Sequence, residues 1–242
     1  RVAPAMREMI DAAAADGGDL LVCSAYRSIE KQQSLFDTSV QNYMAQGMTE
    51  EEATAKTATE TAIPGTSEHQ TGLAADIVTP THQTLDPEFA DTEAGQWLSE
   101  HAYEYGFVLR YPADKQDVTG IIYESWHYRF VGKTHAKLMK ESGLCLEEYL
   151  DWVQTAPRTC RLEHGRSARV FYMPCAGDET ELRLPEGCCQ VSGDNAGGFI
   201  VTAWGRLVML DGTTQIVNLA GLVCGLYAKA AVQESIGKTR AE

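Results

Sequence analysis

The sequence predicts an α+β protein in two parts, a larger first domain over residues 1–157 and a small β-rich domain over residues 158–242. Three observations lead there. Amphipathic helical patterns and short apolar runs follow one another in the first part without the regular strand–helix–strand repeat of a parallel sheet. After "TAPRTC" the texture changes to short alternating or apolar runs parted by Gly-, Pro- and Asp-rich turns. A chain of 242 residues with 44% hydrophobic and 22% charged side chains has ample material for a buried core.

The elements follow in order. Met6, Met9, Ile10 and Ala13 repeat at helical spacing, and Gly17-Gly18 ends that helix. "LLVCS" reads as a short buried strand with Cys23 as a buried thiol. Ser28 caps a second helix that turns Leu35, Phe36, Val40, Tyr43 and Met44 inward before Gly47 stops it. Thr49 with Glu52 makes a capping box for a third helix to about Thr61. The acidic "TEEEA" run there suits the helix dipole rather than calcium. Pro64-Gly65 turns the chain toward the strand "LAADIV", and a helix follows over about Asp91 to Tyr105. "GFVLRY", "GIIYES" and "HYRFVG" are three strand candidates, with helices from about Thr134 and Leu146 closing the domain. In the second domain "ARVFYM", "TELRLP", "CCQVS", "GFIVTAW" and "RLVML" read as strands, and "GLYAKAAVQESIG" as a terminal helix.

Charge excludes one class of partner. The chain carries −14, and residues 1–159 hold 12 Lys/Arg against 25 Asp/Glu, so nucleic acid is not expected to bind. An anionic substrate has to be met by a local cation. No apolar run approaches the ~18 residues of a membrane span. A leader or anchor preceding residue 1 would suit an extracellular or cell-surface protein. Seven cysteines without a C-x-x-C pair give no thiolate zinc site. Apart from Cys23 they cluster late, where one or more disulfides would fit an oxidising compartment, Cys188-Cys189 as a bridge position among them.

The chemistry centres on "SEHQTGLAAD" at 67–76. A histidine with an aspartate seven residues on is often only a core residue beside an unrelated carboxylate. A catalytic zinc takes three ligands of the His/Asp/Glu/Cys kind and keeps a place for water. His69 and Asp76 supply two, and "YESWHYRF" offers His127 as a third with Glu124 as a general base. A glutamate and a histidine three apart share a side of a helix but not of an ordinary strand, so a bulge, bend or strand end is expected there. Arg27, at a strand-to-helix turn, can fork onto a carboxylate or a developing oxyanion.

"SAYRSIEKQ", "PGTSEHQTGLAADI" and "ESWHYRFVG", in that order, resemble the zinc D-alanyl-D-alanine carboxypeptidases of the VanY type. The pattern S-x-H-x-x-G-x-A-x-D, then E-x-W-H, is met by Ser67, His69, Gly72, Ala74 and Asp76, then Glu124, Trp126 and His127. The resemblance covers about residues 5–155 and leaves the second domain outside it. It implies an α+β zinc-peptidase fold shared with lysostaphin-like and hedgehog-like domains. It implies one zinc ion on His69, Asp76 and His127, Glu124 as base, and Arg27, Gln32 and Ser67 on the substrate's terminal D-residue. Trp126 is read as a wall of the pocket or core rather than a catalytic group, and Gln32 could almost equally be solvated surface. Glu68 reads as surface. Two departures are Ala25 where the family often has Gly, and Ser125 where it often has Pro, the latter expected to loosen the bend that aims His127.

The function so implied is removal of the C-terminal D-alanine from peptidoglycan stem peptides by zinc-hydroxide attack. The alternatives are an L,D-carboxypeptidase or endopeptidase of the same fold, decided by residues 38–63 and 80–95, or a zinc-stabilised wall-binding module without activity. Glu124 and Arg27 argue against the last, since a structural zinc needs neither. The histidines at 82, 101, 135 and 164 are read as surface or core.

Overall fold

The computed structural model describes residues 2–175, 179–185, 189–194, 197–210, 213–217 and 225–231, and side chains are described through residue 205 except within 179–185. The chain divides into two compact units, residues 1–147 and 148–242. Among the described residues no helix is long and apolar enough to cross a membrane.

The first unit is built on a four-stranded antiparallel sheet. Its elements are α1 (Val2–Ala15), β1 (Leu21–Ser24), α2 (Ile29–Ala45), α3 (Glu50–Ala58), β2 (Ala74–Val78), α4 (Glu93–His101), β3 (Phe107–Tyr111), the single turn α5 (Gln116–Thr119), β4 (Glu124–Phe130) and α6 (Lys133–Ser142). The strand order is β1-β2-β4-β3. The helix ends follow from sequence chemistry. Ser28 caps α2 by accepting from Lys31 N, and Thr49 and Glu52 close a reciprocal capping box on α3.

One face of the sheet carries the main core. Met6 and Met9 of α1, Ala75 and Ile77 of β2, Leu98 of α4, Phe107 of β3 and Trp126 and Tyr128 of β4 are buried together. Phe36, Val40 and Ala53 pack α2 against α3 in a smaller cluster. All five residues of β2 are buried, which explains why "LAADIV" lacks the polar alternation of a half-exposed strand.

Two expectations change here. "LLVCS" is an edge strand rather than a buried one: Leu21 is 41% exposed and Cys23 is exposed, because only β2 flanks β1. "GIIYES" and "HYRFVG" are not two strands; β4 runs unbroken from Glu124 to Phe130. It keeps pairing with β3 across an irregularity, Leu109 opposing Tyr128 while Tyr111 opposes Glu124. This slip is the bulge that the Glu124–His127 spacing calls for.

In the second unit α7 (Leu146–Thr155), which begins just before the division, is followed by β5 (Arg158–Arg161), β6 (Ser167–Pro174), β7 (Glu179–Pro185), β8 (Cys189–Gly193), β9 (Gly198–Leu210), β10 (Thr213–Val217) and β11 (Gly225–Ala231). A sheet of order β10-β9-β6-β5, with β8 also on β9, is joined by a separate β7–β11 pair. Val170, Ile200 and Val201 are buried within it. The expected terminal helix is corrected: Gly225–Ala231 pairs residue for residue with β7, a ladder that overrides the helix preference of its alanines. Residues 232–242 and Cys188 and Cys224 lie outside the described residues.

Candidate metal centre

The first two candidate ligands are brought together by strand register. Asp76 on β2 lies directly opposite His127 on β4, so their side chains share a sheet face. The third comes from the 3-10 turn Glu68–Thr71 just before β2. Gly72 closes that turn with φ +68°, a left-handed conformation that lets the chain reverse into β2 beneath His69. The ligand atoms of buried His69, Asp76 and His127 all lie within 4.8 Å of one another.

Each imidazole is held in one orientation. His69 Nδ1 lies 2.7 Å from Ala25 O, so that nitrogen carries the proton and Nε2 is free, 3.3 Å from Asp76 Oδ2. Arg27 N donates to His69 O at 3.2 Å, so the β1–α2 turn grips this histidine at ring and backbone. Only the carbonyl of Ala25 is used, and a methyl in place of the family's usual glycine costs this contact nothing. His127 Nδ1 sits 3.0 Å from Asp76 Oδ1 and 3.6 Å from Glu124 Oε2. Three buried donors of the N, N, O kind converging without an intervening side chain fit a divalent transition ion of zinc's ligand preference.

Glu124 is 8% exposed. Burial pushes its carboxyl up to about 7, with Asp76 and Glu68 adding and His127 and Arg27 opposing. Burial raises the Asp76 carboxyl, but the two histidines facing it outweigh this and hold it well below the usual carboxylate range.

Arg27 Nη2 reaches Ser24 Oγ at 3.1 Å and Asp76 Oδ2 at 3.4 Å, and Nη1 donates to Gln32 Oε1 at 2.8 Å. Gln32 is not solvated surface: it is 1% exposed, and its amide also donates to Ala62 O at 2.6 Å. Ser67 and Trp126 are buried as well, and Trp126 belongs both to the core and to the cleft wall. All eight residues singled out in the sequence line one cleft of about 230 Å³, with Glu60, Thr61 and Ala62 from one expected specificity segment and Leu85 from the other. Ser125 does not loosen its strand. It is buried and donates to Asp86 O at 3.0 Å, tying the segment that carries Leu85 to β4.

Sequence reasoning missed two residues of the site. Glu68 is not surface: Arg110 Nε and Arg129 Nη1 both reach its Oε1, at 2.8 and 2.7 Å. Burial raises its pKa, but the facing His127 imidazole and the two arginines more than offset this and hold it at about 2. Arg110 also forks onto Glu147. The signal was present in "FVLRY", where an arginine inside an apolar strand demands a carboxylate partner. Tyr111 was missed too; its ring stands 5.0 Å from that of His127 and lines the cleft.

Comparison with known proteins gives a consistent picture. The VanY family model, described as D-alanyl-D-alanine carboxypeptidase, matches residues 1–133. A D-alanyl-D-alanine carboxypeptidase of Enterococcus faecalis is 46% identical over 152 residues, 62% of this chain and 54% of that protein. One of the same description from Enterococcus faecium is 33% identical over 207 residues, 84% of this chain and 60% of that protein. The chain therefore spans little more than half the length of these curated relatives. Among solved structures, a vancomycin resistance D,D-pentapeptidase VanY mutant in complex with Zn(II) is 45% identical with a TM-score of 0.56, covering 62% of this chain and 82% of that one. A vancomycin resistance D,D-dipeptidase, VanXYg, in complex with a D-Ala-D-Ala phosphinate analog is 33% identical with a TM-score of 0.73, covering 84% and 80%. The LdcB LD-carboxypeptidase is 40% identical with a TM-score of 0.55, covering 62% and 66%.

Proposed function

This chain belongs to the VanY family of D-alanyl-D-alanine carboxypeptidases, and from that premise we propose that it is a zinc-dependent D,D-carboxypeptidase acting on peptidoglycan stem peptides outside the cell or at its surface. The observation that carries the reading is the convergence of His69, Asp76 and His127 beside a buried carboxyl, Glu124, held near neutrality.

His69 Nε2, Asp76 and His127 Nδ1 would hold one zinc ion. When bound, zinc supplies Lewis acidity that polarises the scissile carbonyl and eases deprotonation of water. Arg27 meets the terminal carboxylate of the substrate, its guanidinium aimed by Gln32 and Ser24. Ser67 lines the same cleft. Ionised Glu124 takes the proton of the attacking water and then passes it to the amine of the departing D-alanine. A carboxyl raised by burial suits both halves of that transfer better than one at an ordinary pKa.

The similarity to LdcB favours a second reading, an L,D-carboxypeptidase that trims tetrapeptides. A digest of both muropeptides separates them: D-alanine released from pentapeptide but not tetrapeptide is the expected result, and the converse makes the enzyme an L,D-carboxypeptidase. A zinc-stabilised binding module would release nothing from either. Glu124→Ala is expected to retain zinc while hydrolysis falls by on the order of 10² or more. Unchanged turnover in that variant would refute the role of Glu124.

A further inference from the structure

Two buried polar atoms face each other behind the candidate metal ligands. Among the described residues, His127 Nε2 and Glu68 Oε2 are both enclosed and both lack a hydrogen-bond partner, and they stand 3.8 Å apart. That separation is about 0.9 Å beyond an ordinary N–H···O contact. The other oxygen of Glu68 is fully engaged, taking Arg110 Nε at 2.8 Å and Arg129 Nη1 at 2.7 Å. The far side of Arg110 is fixed on Glu147. Two arginines thus pin the carboxylate so that only Oε2 remains, directed at the imidazole edge opposite Asp76.

We infer that Glu68 is a positioning residue for His127 in the zinc-loaded protein, its Oε2 accepting Nε2–H so that Nδ1, which without an ion meets Asp76 Oδ1 at 3.0 Å, can give its lone pair to the ion. The inference rests on the ligand set proposed above. An imidazole can offer Nδ1 to an ion only in the tautomer protonated at Nε2, and a fixed acceptor at Nε2 selects that tautomer. Ala25 O does the same for His69 from the opposite nitrogen. The site is therefore prepared on both histidines, one by a backbone carbonyl and one by a carboxylate. The arginine pair has a second consequence. With one oxygen committed to two cations, Glu68 is kept from turning toward the ligands as a competing donor.

The isosteric variant Glu68→Gln separates this role from simple charge pairing. Its amide oxygen must face Arg110 and Arg129, which only donate, so its NH₂ is forced toward His127 Nε2. That donor selects the tautomer protonated at Nδ1, which cannot bind an ion there. Zinc titration of the metal-stripped full chain against a competing chelator is the test. Glu68→Gln and Glu68→Ala are both expected to bind zinc on the order of 10- to 100-fold more weakly than the parent. The glutamine variant is expected to be at least as weak as the alanine one despite matching the native shape. Nitrogen-15 spectra of the imidazoles in the zinc-loaded parent protein are expected to show His127 protonated at Nε2, a readout that needs no variant to fold. Zinc affinity within twofold of the parent in Glu68→Gln, or His127 protonated at Nδ1 in the loaded protein, would overturn the inference. A parent protein that binds no stoichiometric zinc would instead sink the ligand set itself.

Discussion

Replacing Gln32 with leucine tests whether the proposed anion grip of Arg27 is built by its neighbours. The side chain is almost fully enclosed, and leucine fills similar space without its polar atoms. Two contacts are lost: the 2.8 Å acceptor for Arg27 Nη1 and the 2.6 Å donor to Ala62 O. A hydrogen bond to a charged group contributes about 1.5–3 kcal/mol. If that energy aims the guanidinium at the substrate, its loss lowers kcat/KM by roughly 10- to 150-fold, at about 1.4 kcal/mol per tenfold. The carbonyl of Ala62, left without its donor, costs a further ~1 kcal/mol or more of folding stability. The assay compares kcat/KM for a peptide ending in a free carboxylate with that for its C-terminal amide. The parent enzyme is expected to favour the free acid strongly, and Gln32→Leu to lose most of that preference. A variant of reduced stability whose preference for the acid stays within threefold of the parent would refute the argument, reducing Gln32 to a packing residue.

Two further outcomes follow from the same geometry. His69→Ala is expected to lose stoichiometric zinc, measured by metal analysis of the purified protein, and chelator treatment of the parent to abolish hydrolysis until zinc is restored; full zinc content in the variant would show that the ligand set is wrong. Arg110→Met takes from Glu68 and Glu147 the cation they share and leaves Glu68 with Arg129 alone. Breaking a buried pair costs ~3–5 kcal/mol, and the partial exposure of Glu147, 34%, places the expected loss in a urea melt at about 3 kcal/mol. A loss below about 1 kcal/mol would mean that the network is screened by solvent.

Much of the first unit is legible in local chemistry. The Thr49–Glu52 capping box, the Ser28 cap and the Gly72 reversal are short-range devices whose residues also dictate their geometry. Apart from the candidate ligand Asp76, β2 is apolar throughout, which marks a strand covered on both faces, and the missing alternation is itself the signal. The edge character of "LLVCS" was not legible, because burial of a strand depends on how many neighbours flank it. The strand nature of Gly225–Ala231 was hidden for a related reason, since its partner β7 lies some 40 residues away in sequence.

The sequence by itself picked out the candidate ligands, the proposed base and the arginine proposed to bind the anion, because donor chemistry and motif spacing are written in residue identity. Tertiary structure alone decided how they are aimed. The Asp76–His127 register, the slip that brings Glu124 beside His127, and the Ala25 carbonyl on His69 are set by pairing between distant strands and turns. The same holds for Glu68 and Gln32. Each carries a polar side chain that suits a surface equally well, and only the arrival of Arg110 and Arg129 for one, and Arg27 and Ala62 for the other, makes burial affordable. A polar group is buried where its partners converge, and that convergence is a property of the folded chain.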